Sequence, residues 1–133
     1  MASWLYEDYN SIEIYFLGGK IMENEIFNFV TANGMSTAYV AKPDNVENAK
    51  VVVLIHEWWG LNEHIKDIAN RYADEGFIAI APDLYRGRLA TNPEDASKMM
   101  NALEIDDGLN TIESAMDKSR EVFGVKHFGI TGY

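Results

Sequence analysis

The apolar run Val51-Val52-Val53-Leu54-Ile55 has the pattern of a strand covered on both faces, as central parallel strands are. Upstream of it, Ile26, Phe27, Phe29 and Val30 lead into Ala32-Asn33-Gly34, a turn signal, and residues 35–41 return as a second strand. These two predict an antiparallel hairpin, joined to the central strand by the loop Lys42-Pro43-Asp44-Asn45. Residues 1–24 contain Trp4, three tyrosines and, near their end, Gly18-Gly19-Lys20, and show no clear period. They read as an N-terminal extension to a domain spanning 25–133.

Beyond Gly60 the period changes. Asn62 suits an N-cap, and Ile65, Ile68, Ala69, Tyr72 and Ala73 fall on one face of a helix that stops at Gly76. Phe77-Ile78-Ala79-Ile80-Ala81 is a second fully apolar strand, ended by Pro82, and residues 83–92 form its loop. Pro93 behind Asn92, with Glu94 and Asp95 following, predicts the first turn of a short helix through Met99, Met100 and Leu103. Asp106 or Asp107 is expected to cap a longer helix whose apolar face carries Leu109, Ile112, Ala115, Met116, Val122 and Phe123, closed by Gly124. A last strand runs over 125–131. Strands alternating with helices predict an α/β fold of about five strands, with an antiparallel hairpin followed by parallel strands and right-handed crossover helices.

Composition narrows the function. The 133 residues allow a single domain with a real core, and 47% hydrophobic residues exclude a disordered chain. Eleven Lys and Arg against 21 Asp and Glu, scattered rather than clustered, argue against nucleic acid or an anionic membrane surface as partner. Three distant histidines and no cysteine offer neither a zinc site nor a disulfide frame. No apolar stretch approaches the roughly 20 residues of a membrane span, and MASWLYEDYN lacks the pattern of a signal peptide. The expected compartment is the cytoplasm.

Candidate chemistry follows the central strand. In open α/β sheets ligands sit beyond the carboxyl ends of the strands, which is where His56-Glu57-Trp58-Trp59-Gly60 falls. Trp58 and Trp59 can wall an apolar pocket or simply pack. Glu57, flanked by tryptophan and a core strand, is less easily solvated than a loop charge. Neither strand is followed by G-x-G-x-x-G or a Walker lysine loop, so phosphate cradling is not expected. An α/β-hydrolase carries its nucleophile at G-x-[S/C]-x-G, and Ile130-Thr131-Gly132-Tyr133 supplies the first glycine and its neighbour.

The stretch VVVLIHEWWGLNEHIKDIANRYADEGFIAIAPDLYRGR, followed about forty residues later by FGITGY, resembles the dienelactone hydrolase family from about residue 25 onward. The resemblance implies the N-terminal half of an α/β-hydrolase fold and cleavage of an ester or lactone bond in a small-molecule substrate by a Cys-His-Asp triad. It implies no metal and no organic cofactor. It matches Glu57 to the glutamate that contacts the resting nucleophile, and Trp58 to the residue whose backbone N–H joins the oxyanion hole. Tyr133 matches the residue before the nucleophile. Trp59, Arg86 and Arg88 become candidate substrate contacts.

Two departures follow. The matched nucleophile and the other triad members lie beyond Tyr133, so the front half alone is expected to be inactive and to need the remaining C-terminal half of the fold. The arginine that reads a substrate carboxylate in well-known members falls at Gly87 here, with Arg86 and Arg88 on either side. Bland readings stand beside these: a structural Asp83 binding loop amides, a hydrogen-bonded core His56, a surface His64, a strand-face His127 and solvated arginines. The alternative from another class is a non-catalytic remnant or binding module that keeps the half-fold.

Overall fold

The structure, a computed structural model, describes residues 12–17 and 20–133, with side chains from Glu25 onward. Its strands are β1 (Ile12–Leu17), β2 (Lys20–Thr31), β3 (Gly34–Ala41), β4 (Val51–Ile55), β5 (Ile78–Pro82) and β6 (Phe128–Gly132). The helices are α1 (Glu63–Asp74), α2 (Pro93–Ala102) and α3 (Ile105–Phe123). One six-stranded sheet has the order β1-β2-β3-β5-β4-β6. The first three strands pair antiparallel, β3 pairs antiparallel with β5, and β4 runs parallel to both β5 and β6.

The expected hairpin forms, with Thr31 opposite Gly34. Its tip is braced by the Thr31 hydroxyl, which donates to the Gly34 carbonyl at 2.8 Å and accepts the Asn33 N–H at 3.2 Å. The sixth strand is the correction. Residues 12–17 pair with 20–25, so part of the stretch read as an aperiodic extension is sheet. A strand on the outer edge, with one neighbour, need not show the strong apolar alternation that marks a core strand. Residues 1–11 and 18–19 lie outside the described residues.

Alternation along the strands separates two cores. Tyr39, Ala41, Val52, Leu54, Ala79 and Ala81 face α1, which buries Ile65, Ile68, Ala69 and Ala73. Phe27, Phe29, Val40, Val51, Ile78 and Ile80 face the other side, against Ala115 of α3. Each fully buried large side chain here contributes roughly 1.5–3 kcal/mol. α1 begins where expected, the Asn62 side chain accepting the Ile65 N–H at 3.2 Å. Asn92 caps α2 in the same way, accepting from Asp95 N–H at 2.8 Å.

α3 departs from the sequence reading twice. Its N-cap is Glu104, without a side-chain cap bond, and Asp106 and Asp107 lie in the first turn. The buried positions are Gly108, Thr111, Ala115 and Ser119, while Ile105, Leu109 and Val122 are exposed. Small residues let the helix approach the sheet closely. The two hydroxyls are satisfied inside the helix, Thr111 donating to the Asp107 carbonyl and Ser119 to that of Ala115. Ile105, Leu109 and Val122 are therefore turned away, while Phe123 at the end of the helix packs on Phe27, ring centroids 5.8 Å apart. Among the described residues no helix is long and apolar enough to cross a membrane.

Candidate active site

Adjacent strands β4 and β5 send their chains to opposite faces, β4 into α1 and β5 toward α3. Their carboxyl ends therefore flank the crevice in which ligands of open α/β sheets bind. Residues 56–60 and 83–90 meet there.

His56 stitches the two segments. It is 7% exposed; its Nδ1–H donates to the Glu57 carbonyl at 2.7 Å, and its Nε2 accepts the Leu84 N–H at 3.1 Å. A carbonyl can only accept and an amide can only donate, so these partners fix the neutral tautomer. Burial pushes its pKa below the ordinary 6.5, against the opposing effects of the Glu57 carbonyl and Asp83. With both ring nitrogens occupied, His56 is the core residue of the bland reading rather than a base. Asp83 is also structural, its carboxylate accepting the Tyr85 N–H at 3.0 Å and the Gly87 N–H at 2.7 Å.

The turn after His56 is closed by the Gly60 N–H donating to the Glu57 carbonyl at 3.1 Å. Gly60 has φ +97, and a Cβ there would lie 2.8 Å from the Arg88 carbonyl oxygen and 3.2 Å from the Tyr85 ring. Only glycine meets both conditions. The Ala90 N–H donates to the Trp59 carbonyl at 3.0 Å, completing the seam. Trp58 and Trp59 pack edge to face at 5.4 Å, each half-buried. Among the described residues, the half-buried Glu57 carboxylate has no hydrogen-bond or ion-pair partner, and no acceptor takes the Trp58 N–H.

The arginines differ in kind. Arg86 donates to the Met35 carbonyl at 2.7 Å, the Thr31 hydroxyl at 3.1 Å and the Asp107 carboxylate at 2.6 Å. A substrate carboxylate there would have to compete with Asp107. Arg88 is exposed and lines, with Leu84, Tyr85, Met99 and Leu103, a groove of about 280 Å³. Tyr133 stands on the far side of β4: its N–H donates to the Ile55 carbonyl at 3.2 Å, continuing the parallel ladder. Its hydroxyl lies 3.3 Å from that of Tyr72, and this contact raises its pKa. The two tyrosines, with Ile68 and Phe77, line a second groove of about 490 Å³. Reading the sequence missed Asp107 and Tyr72 as partners, because contacts across 21 and 61 residues leave no local pattern.

The family profile described as "Dienelactone hydrolase family" matches residues 36–133, most of the chain. The chain belongs to the dienelactone hydrolase family. A "Putative carboxymethylenebutenolidase" of Aquifex aeolicus is 38% identical over 118 residues, covering 76% of this chain and 47% of that protein. "Protein usf" of Aquifex pyrophilus is 45% identical over 75 residues, covering 54% of this chain and 29% of that protein. The solved "Putative Dienelactone Hydrolase" of Klebsiella pneumoniae superposes with a TM-score of 0.66 at 25% identity, over 81% of this chain and 50% of that one. A dienelactone hydrolase-like promiscuous phosphotriesterase from metagenomic libraries superposes with a TM-score of 0.71 at 20% identity, over 84% of this chain and 49% of its own, a likeness of fold alone. The chain thus spans half or less of the length of these relatives and carries part of the α/β-hydrolase fold of the dienelactone hydrolases.

Proposed function

We propose that this chain forms the front half of a hydrolase that cleaves an ester or lactone bond through an activated nucleophile and an acyl-enzyme. In this reading the Trp58 N–H donates to the developing oxyanion, where a preorganised donor is worth more than in water. Glu57 contacts the resting nucleophile, Trp59 walls the substrate and Arg88 holds a substrate carboxylate as a charged pair. Arg86 is left out of that contact because its donors are engaged by Asp107, Thr31 and Met35. The observation that carries the reading is the Tyr133 N–H to Ile55 carbonyl bond. It sets the Gly132-Tyr133 backbone beside the segment leading into Glu57, which suits a nucleophile following Tyr133.

The remaining half of the fold is the proposed partner. β6 is one of the two outer strands of the described sheet, so its other edge suits further strands, and its Ile130, 58% exposed, leaves a face for them to cover. The test is hydrolysis of a p-nitrophenyl ester by the polypeptide carrying this sequence, beside residues 1–133 expressed alone. Turnover by the former and none by the latter is expected. Absence of turnover in both, across carboxylate-bearing and neutral esters, would leave a binding module.

A further inference from the structure

Arg86 has φ +52, in the left-handed region, and Gly87 follows at +89. A long side chain persists there when its surroundings over-determine the conformation. The guanidinium reaches the hairpin tip through Thr31 and Met35, and the first turn of α3 through Asp107. Asp107 is itself held by the Asn33 side-chain N–H at 2.9 Å. Hairpin, loop and helix are thereby fastened at one point. The opposite side of the same loop is the surface on which the catalytic turn rests, with the Arg88 carbonyl and Tyr85 ring enclosing Gly60 and the Ala90 N–H bound to Trp59.

We propose that Arg86 is a positioning residue: clamped by Asp107, it holds residues 85–88 so that the turn at 57–60 presents the Trp58 N–H and the Glu57 carboxylate in one place. Its consequence for turnover rests on the hydrolase reading, but the positioning itself does not. The competing account is that the Asp83 carboxylate, which binds the Tyr85 and Gly87 amides, fixes the loop without help.

The two accounts are separated by Arg86→Met, Asp107→Asn and the double variant, each made with Trp4→Phe so that Trp58 and Trp59 are the only tryptophans of residues 1–133. Amide exchange at Ala90 and the near-ultraviolet circular dichroism of the tryptophan pair are measured under native conditions. Exchange at Ala90 rises about tenfold in each single variant through local opening. The tryptophan signal changes with it, and the double variant is no worse than Arg86→Met. Wild-type Ala90 exchange with an unchanged tryptophan signal in both single variants would overturn the proposal in favour of Asp83. Turnover of a neutral ester by the polypeptide that carries this sequence and the rest of the fold adds a second reading, kcat falling on the order of tenfold through misplacement, with little change in KM. A rise in KM confined to carboxylate-bearing esters would instead make Arg86 a direct reader and overturn the proposal. If the wild-type polypeptide that carries this sequence and the rest of the fold is inactive, the hydrolase reading fails and the exchange result decides the positioning.

Discussion

The Leu84 N–H donates to His56 Nε2 at 3.1 Å, so a backbone amide of the loop after β5 depends on an unprotonated imidazole at the end of β4. Protonation would set an N–H against an N–H and charge a buried ring. The folded-state pKa lies below 6.5, so the unfolded chain binds the proton more readily. The contribution of His56 is complete above pH 6.5 and is lost as pH falls from there through the lowered folded value. The difference in urea midpoint between wild type and His56→Leu should therefore shrink on acidification over that window. The variant should cost about 1–3 kcal/mol near pH 8, because the Leu84 N–H is left unsatisfied. A difference independent of pH would mean that His56 does not titrate with unfolding.

Gly60 and Gly76 make a matched pair, with φ +97 and +94. A Cβ on Gly76 meets nothing within 4 Å, whereas one on Gly60 meets the Arg88 carbonyl oxygen at 2.8 Å. Gly76→Ala should cost roughly 1–2 kcal/mol, the backbone penalty alone. Gly60→Ala should cost about 2 kcal/mol more, since the backbone of the facing loop must shift. Chemical denaturation of both variants checks this. Equal costs would show that the seam between the two loops is loose.

Much of this fold was legible because β4, β5 and α1 are buried by their own local patterns. Val51-Val52-Val53-Leu54-Ile55 is core on both faces, and Asn62 caps α1 from within its own turn. Legibility failed where position depends on distant partners. Leu109 and Ala115 both fit an apolar helical stripe, but only the small residue lies against the sheet. Residues 12–17 are strand because β2 offers an edge, a fact absent from their own period. In the proposed site, Glu57 and Trp58 are picked out by the strand end and the family likeness. Arg86 looked like a solvent-facing or substrate-facing cation because Asp107, its partner, is 21 residues away.

The buried face of α3 gives a direct stability test. Ala115 is fully buried against the sheet and Leu109 is 57% exposed. Ala115→Leu should overpack the interface and cost about 1–3 kcal/mol. Leu109→Lys should stay within about 0.5 kcal/mol in residues 1–133, as surface changes usually do. Reversed costs from denaturant midpoints would place Leu109 rather than Ala115 against the sheet.

The proposed site divides its labour between Glu57, the Trp58 N–H and Arg88. Glu57→Gln keeps the shape and removes the charge, so turnover should fall on the order of tenfold to a thousandfold. Thiol or hydroxyl reactivity of the nucleophile should change with it. Arg88→Met should raise KM for carboxylate-bearing esters more than for neutral ones, because a guanidinium pairs with a carboxylate through two donors. Steady-state kinetics on a matched ester pair reads both. Wild-type turnover in Glu57→Gln would reduce that carboxylate to a loop charge, and an equal KM effect on the two esters would remove Arg88 as a reader.

Ile130 decides whether β6 is an edge or an interior strand in the working protein. Its side chain is 58% exposed, although it pairs in register with Val53, which is fully buried. A β-branched residue on an uncovered edge tolerates a charge, and Lys is one of the residues that guard such edges. The same position under further strands and helices would bury that charge without a partner. Ile130→Lys should therefore leave the denaturant midpoint of residues 1–133 within about 0.5 kcal/mol of its parent. In the polypeptide that carries the rest of the fold it should cost several kcal/mol, as removal of a buried contact with burial of an unpaired charge does. Comparing the two backgrounds isolates the effect of covering. Equal, small costs in both would show that nothing packs over this part of β6, and the proposed second half would have to dock elsewhere.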